Sequence, residues 1–463
     1  MARLILILAA GLLLVLGGAR ANAQPASPLS AADRSLLLAT LRAAPEHGLP
    51  ASEARLKAIE RDLAAADPAQ RVQAEAELRV AVIAYARAQR GLRVPTSRFL
   101  NNWAIRPPPY DAEAELAKAL ATSTLAAWLA GLPPQEPRYA ALVRAYARYR
   151  AIGVAGGWPA LPSKTAKPGA VGPEVAALRR RLAVEDGTVV VQGERYDATL
   201  SAAVSRAQAR YGLNVDGVAG PSTLAALNVP VAARLAQIRA NLERWRWAPR
   251  TLPGDRVELN IAGAWFDEYE GGDRVLSMRA VVGRPQDQTP SFMDHIHAVV
   301  FYPPWNVPAR IAQNELWPKE RRQPGYLASQ GIRVLPGGRL QQAPGPKNSL
   351  GLMKFELDDP YAVYFHDTPA RSLFAREYRF LSHGCMRLER PYDLARRLLR
   401  NDPDWTGGKI DAALKAGFTQ RAPMTRVMAY VFYWTAFVDD DGQMQFRPDA
   451  YRWDQALLGM LGD

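Results

Sequence analysis

The feature that most constrains this chain is a change of hydrophobic period at Pro249. Before it, apolar residues recur at helical spacing, as in Leu78, Ala81, Val82 and Tyr85; beyond it they alternate, as in Val257, Leu259 and Ile261. Alternation puts every second side chain on one face of a strand, so the second half needs a sheet. Gly271-Gly272-Asp273 offers a turn, and Val275 to Val282 continues in β-forming residues. Val427, Ala429, Val431, Tyr433 and Thr435 then alternate before Asp441-Gly442, a hairpin signal. At 463 residues the chain exceeds one ordinary core. Its fold class reads as multidomain α+β, helical in front and β-rich, sandwich-like, behind.

Residues 1–23 read as a secretory signal peptide: Met-Ala-Arg, an apolar run from Leu4 to Leu16, then the A-x-A site Ala21-Asn22-Ala23. The rest of the chain is expected outside the cytoplasm, and no later stretch is apolar enough to span a bilayer. Removing Arg3 and Arg20 with the leader takes the formal charge from +13 to +11. That surface favours anionic partners such as the wall or lipid headgroups, or is simply an arginine-rich solvated face. Nucleic acid is a poor partner for an exported chain without a recognised nucleic-acid motif.

Residues 30–155, rich in Ala, Leu and Arg, read as a helical scaffold domain without a chemical cluster. The Pro- and Gly-dense stretch 156–173 marks a linker. Within 174–230, Val175/Leu178/Leu182 and Leu200/Val204/Tyr211 predict two helices, and Pro221 suits the first turn of a third. With Asp216-Gly217 through Thr223, a D-G-x-x-G-x-x-T pattern, this unit resembles the small peptidoglycan-binding domain of wall enzymes. A further helix carries Leu235, Ile238, Leu242 and Trp245, and opens a β-rich domain over 231–445; a C-terminal helix or tail covers 446–463.

Cys385 is the single cysteine, so no intramolecular disulfide can form, and a lone thiol outside the cytoplasm is an oxidation liability that points to a chemical use. A thiol of ordinary pKa needs a neighbouring imidazole or backbone dipole to act as a nucleophile at neutral pH. His366, nineteen positions upstream, can serve if the fold returns the chain, with a backbone carbonyl near Asp367 fixing its tautomer. Gly384 permits close approach of backbone to a substrate, and amides around it could hold an oxyanion. Arg387 offers a fixed fork for a carboxylate. His295-x-His297 invites a metal reading, but no third ligand cluster is near in sequence, so no metal and no cofactor are expected.

Ser382-His383-Gly384-Cys385-Met386-Arg387-Leu388, with Tyr364-Phe365-His366 upstream, resembles the signature of the L,D-transpeptidase catalytic domain. Asn241 to Trp247, Tyr302 to Pro308 and the tail from Tyr430 through Tyr451 are similar to the large periplasmic subfamily, which carries scaffold and peptidoglycan-binding domains. The resemblance implies attack by Cys385 on the carbonyl between the third residue of a tetrapeptide stem and its terminal D-alanine. A thioester forms, and an amine of a neighbouring stem resolves it into a 3-3 cross-link. It implies further that His366 is the base and that His383 and Gly384 form part of the pocket and oxyanion site. Tyr364, Ser382, Asp367, Trp305 and Arg387 would contact substrate, and residues 309–357 would form a lid. Donor and acceptor stem peptides are the implied partners, carbapenems are expected to acylate Cys385, and the periplasm is the implied compartment.

Two rivals share the nucleophile: hydrolysis of the thioester, giving an L,D-carboxypeptidase, and attachment of a protein lysine to the wall. A non-catalytic wall-binding scaffold is the rival of another class. A papain-like protease fits poorly, since that family places Cys before His.

Overall fold

The computed structural model describes residues 28–358 and 361–462; the expected leader at 1–23 lies outside the described residues. Five helices between Ala31 and Ala130 build a front unit with its own core, including Leu37, Leu78, Val82, Leu116 and Leu132. Four of their starts are capped by side chains, as where Ser30 accepts from the Asp33 N–H and Asp111 from the Ala114 N–H. The next helix, Pro137–Val154, leaves that core and joins the main one through Tyr139, Leu142, Tyr146 and Tyr149.

Three helices follow, Pro173–Glu185, Ala198–Tyr211 and Pro221–Leu227, the last opening with Pro221 in its first turn behind Gly220. Arg181 and Glu185 form a buried pair at 2.7 Å, and Glu185 also accepts from the hydroxyls of Tyr149 and Tyr211 at 2.5 and 2.6 Å. A buried carboxylate satisfied this fully ties the three-helix unit to the helix at 137–154.

The β-rich domain is built on β1 (Arg256–Asn260), β2 (Trp265–Glu270), β3 (Asp273–Gly283) and β4 (Phe292–Phe301). An excursion carries β5 (Trp305–Asn306), β6 (Ile332–Val334) and β7 (Leu340–Gln342). Then come β8 (Met353–Leu357), β9 (Phe365–His366), β10 (Phe380–Ser382), β11 (Met386–Leu388) and β12 (Gln420–Phe432), with the hairpin β13 (Ala436–Val438) and β14 (Met444–Phe446) last. The main sheet runs β10-β3-β11-β9-β8-β4-β12-β1-β2, and β2 also pairs with β3. That extra pairing closes the sheet on itself and removes its exposed edges. Val257, Leu259, Phe266, Met278, Val299, Phe355, Phe365, Met386 and Leu388 fill the interior, each almost wholly buried. Their neighbours, including Glu258, Asp267, Lys354, His366 and Arg387, therefore share the outer face.

The excursion between β4 and β8 has a small core of its own, Ala312, Leu316, Leu327, Ile332 and Leu340. Its helical stretch from Ala309 to Arg322 contains one π turn, Ala312–Leu316, where the Trp317 N–H reaches back to the Ala312 carbonyl. Pro318, which has no N–H to donate and crowds the carbonyl four residues back, lies just beyond it. The helix Val231–Trp247 lies across the barrel, with Trp245 stacked on Trp434 at 4.5 Å.

Candidate active site

β9 and β11 run parallel, pairing Phe365 with Met386 and His366 with Arg387. Cys385 enters that register one step earlier, beside Tyr364, whose carbonyl accepts the Met386 N–H at 3.1 Å. Thiol and imidazole are thus diagonal neighbours on the outer face, about 7 Å apart at the backbone. Tyr364 stands between them: its N–H and its hydroxyl both bond Cys385, and its ring lies 5.7 Å from that of His366. Trp305, on β5, donates to the Tyr364 hydroxyl.

Burial pushes the Cys385 thiol above its ordinary pKa, against the Tyr364 N–H and the positive charge of Arg387. The resting thiol is therefore protonated. Burial, helped by Arg387, holds the His366 imidazole down to about 3, so it is neutral and fit to accept a proton. Its Nδ1 lies 2.5 Å from the Asp367 carbonyl, and the Leu350 carbonyl also bonds the ring; a proton held on Nδ1 leaves Nε2 as the basic nitrogen. Arg387 is half-buried, and its Nε has no hydrogen-bond partner among the described residues. A guanidinium so placed, beside the thiol and without a carboxylate, attracts an anion.

Gly384 holds the turn before the thiol at φ +115, a conformation that a side chain would strain. Ser382 Oγ donates to the Cys385 carbonyl at 2.6 Å and accepts from the Gly384 N–H at 3.2 Å. Ser382 thus braces the loop from within, and the Gly384 amide is occupied by it. From outside, Thr289 Oγ1 donates to the Gly384 carbonyl at 2.7 Å, and Thr289 is held through the Gly283 N–H and the Tyr451 hydroxyl. Asp367 accepts the Leu352 N–H at 2.9 Å and pairs with Arg371 at 3.0 Å, so its carboxylate also secures backbone. His383 turns toward the excursion, its Nε2 lying 2.6 Å from Glu315 in the π turn. Arg284 reaches the same carboxylate at 3.2 Å and Asp287 at 2.5 Å, and Arg310 pairs with Asp287.

Cys385, Tyr364, His366, Arg387 and Trp305 therefore converge, while Ser382, Gly384 and Asp367 shape the loops and His383 meets the lid. Sequence reasoning missed Lys354, paired with His366 across β8 and β9, with its ammonium 4.4 Å from the Tyr364 ring. The alternation of Met353, Phe355 and Leu357 was the signal that turns Lys354 outward. Thr289, Glu315 and Tyr451 carry no such local signal. His297 sits between Asp358 at 3.3 Å and Arg421 at 3.2 Å, and no group of three metal-ligating side chains occurs among the described residues. No described helix is long and apolar enough to cross a membrane.

Residues 255–406 match the L,D-transpeptidase catalytic domain, residues 27–145 a scaffold domain and residues 171–227 a "Putative peptidoglycan binding domain". A protein of Haemophilus influenzae described as "Putative L,D-transpeptidase" is 31% identical over 242 residues, 48% of each chain. The chain thus spans about half the length of the curated relative it matches. Among solved structures, an L,D-transpeptidase fragment from Xylanimonas cellulosilytica is 18% identical, with 59% of this chain and 98% of that one covered and a TM-score of 0.21. An L,D-transpeptidase from Mycobacterium smegmatis is 16% identical, with 38% and 58% covered and a TM-score of 0.22. In order along the chain, then, it matches a scaffold domain, a peptidoglycan-binding domain and, over residues 255–406, the catalytic domain of L,D-transpeptidases.

Proposed function

We propose that this protein is a peptidoglycan L,D-transpeptidase of the periplasm that forms 3-3 cross-links through a thioester on Cys385. One observation carries the reading: the chain's single thiol and a neutral imidazole lie on the same outer face of two adjacent parallel strands, and Tyr364 contacts both. As Sγ attacks the carbonyl before the terminal D-alanine, its proton passes to His366 Nε2, and the Tyr364 hydroxyl is available to the developing oxyanion. The tetrahedral intermediate collapses to the thioester, and the proton on His366 goes to the departing amine of D-alanine. The side-chain amine of an acceptor stem then attacks, gives up its proton to the same imidazole, and releases the thiol. Arg387 is suited to a stem carboxylate, Trp305 walls the pocket, and His383 and Gly384 shape its rim.

Incubation with purified disaccharide tetrapeptide, followed by mass analysis, tests this. Cross-linked dimer with free D-alanine is expected, and Cys385→Ala should abolish both. Tripeptide and D-alanine without dimer would make the protein an L,D-carboxypeptidase, and unchanged substrate with no carbapenem adduct on Cys385 would leave a wall-binding scaffold. The base has a signature of its own. Because the imidazole stays neutral down to about pH 3, acylation of Cys385 by a carbapenem should show no acid limb near the ordinary histidine value of about 6.5. A limb there would mean that His366 works in a solvated state or is not the base.

A further inference from the structure

A cavity of 680 Å³ opens on the outer barrel face away from Cys385, where the three-helix unit, the helix Pro137–Val154 and β1, β2 and β3 meet. We propose that it binds the glycan backbone of the wall, a chain of N-acetylated hexosamine rings, and so holds a strand while its stem reaches the cysteine. The proposal deepens the transpeptidase reading and rests on it for the identity of the polymer.

Trp265 on β2 is 38% exposed and lines the cavity, offering a flat aromatic face. Pyranose rings present C–H faces with partial positive charge, which such a face attracts. Around it are groups short of partners. The Trp434 Nε1 and the Arg379 Nε have none among the described residues. Arg447 is half-buried, with only carbonyl and amide oxygens on its guanidinium. Asp267 accepts from Ser277 Oγ, and burial raises its carboxyl to about 6. Lining arginines and acids are nearly balanced in number, and Arg138 is already paired with Glu258 at 2.8 Å. An uncharged, hydroxyl- and amide-bearing ligand fits such a lining better than an ionised peptide does.

Position supplies the second argument. The wall on one side is residues 209–215, which belong to the segment matching a peptidoglycan-binding domain. On the other side, β3 borders both places: Arg279 lines the cavity, and Val281, two residues on, is paired with Arg387. The connection between His366 and Cys385 contributes Phe374 to Glu377 and Arg379 to the same wall. By the β3–β11 register the cavity's edge at Arg279 lies four residues along and one strand across from Cys385, roughly 14 Å.

The test is calorimetric titration of the full chain with tetra-N-acetylchitotetraose, with cellotetraose as the control lacking acetamido groups. Saturable binding of the acetylated sugar is expected, weakened about tenfold by Trp265→Ala, a loss on the scale of one stacked ring, and nearly restored in Trp265→Phe. Phe418→Ala, at an exposed aromatic outside the cavity, should change nothing. Equal affinity of wild type and Trp265→Ala, or no saturable binding by wild type, overturns the proposal. So does displacement of the sugar by free tetrapeptide, which would make the cavity a peptide groove. Carbapenem acylation of Cys385, measured on the same samples, verifies the fold of each variant. If wild type also fails to acylate, the transpeptidase reading falls while the titration still decides the cavity.

Discussion

Two segments are attached to the same barrel in opposite ways. The helix Val231–Trp247 is joined by buried polar contacts. Arg244 meets Asp454 at 2.5 Å, Asn241 exchanges hydrogen bonds with Thr435 at 2.6 and 3.0 Å, and Trp245 stacks on Trp434. The excursion between β4 and β8 has its own core and reaches its neighbours chiefly through ions: Glu315 with His383 and Arg284, all part-exposed, and the exposed Arg310 with the buried carboxylate of Asp287. Buried pairs are costly to break because a lone charge is stranded, whereas exposed ones exchange readily for water. The first attachment makes a rigid frame, and the second rests largely on ions that exchange for water at less cost, as the proposed lid would require.

The contrast predicts a descending series. Arg244→Ala strands Asp454 and should destabilise the fold by ~3–5 kcal/mol in urea titration at neutral pH. Asn241→Ala leaves Thr435 short of partners and should cost ~1–3 kcal/mol in the same measurement. Glu315→Gln should cost less than ~1 kcal/mol, yet raise hydrogen exchange across residues 309–342 selectively. If Glu315→Gln destabilised the fold as strongly as Arg244→Ala, lid and frame would be one cooperative body and the contrast would fail.

Much of the frame was legible in the sequence. Alternation from Val257 onward, the turn at Gly271-Gly272 and the signal at Asp441-Gly442 correspond to β1, to the β2–β3 turn and to the β13–β14 hairpin. The stretch Ser382 to Leu388 and His366 were readable because the chemistry depends on residue types at fixed local spacing. Closure of the barrel was not, because β2 pairs with both β1 and β3 and local period says nothing of which strands meet. Nor was the bracing of the nucleophile loop. Thr289 and Tyr451 arrive from almost a hundred and more than sixty positions away, and Ser382 resembled a ligand contact until its hydroxyl was found between two backbone groups.

The widened turn at Ala312–Leu316 sets the aim of the lid. Each residue of an ordinary α-helix advances the direction of its side chain by about 100°. A π turn accommodates one extra residue, so everything on the Glu315 side is rotated by that angle relative to the helix beyond Pro318. Tightening the turn by one residue would swing the Glu315 carboxylate off the His383 ring and turn Ala312 or Leu316 out of the small core. Helical phase, rather than charge, then decides which way the cover faces.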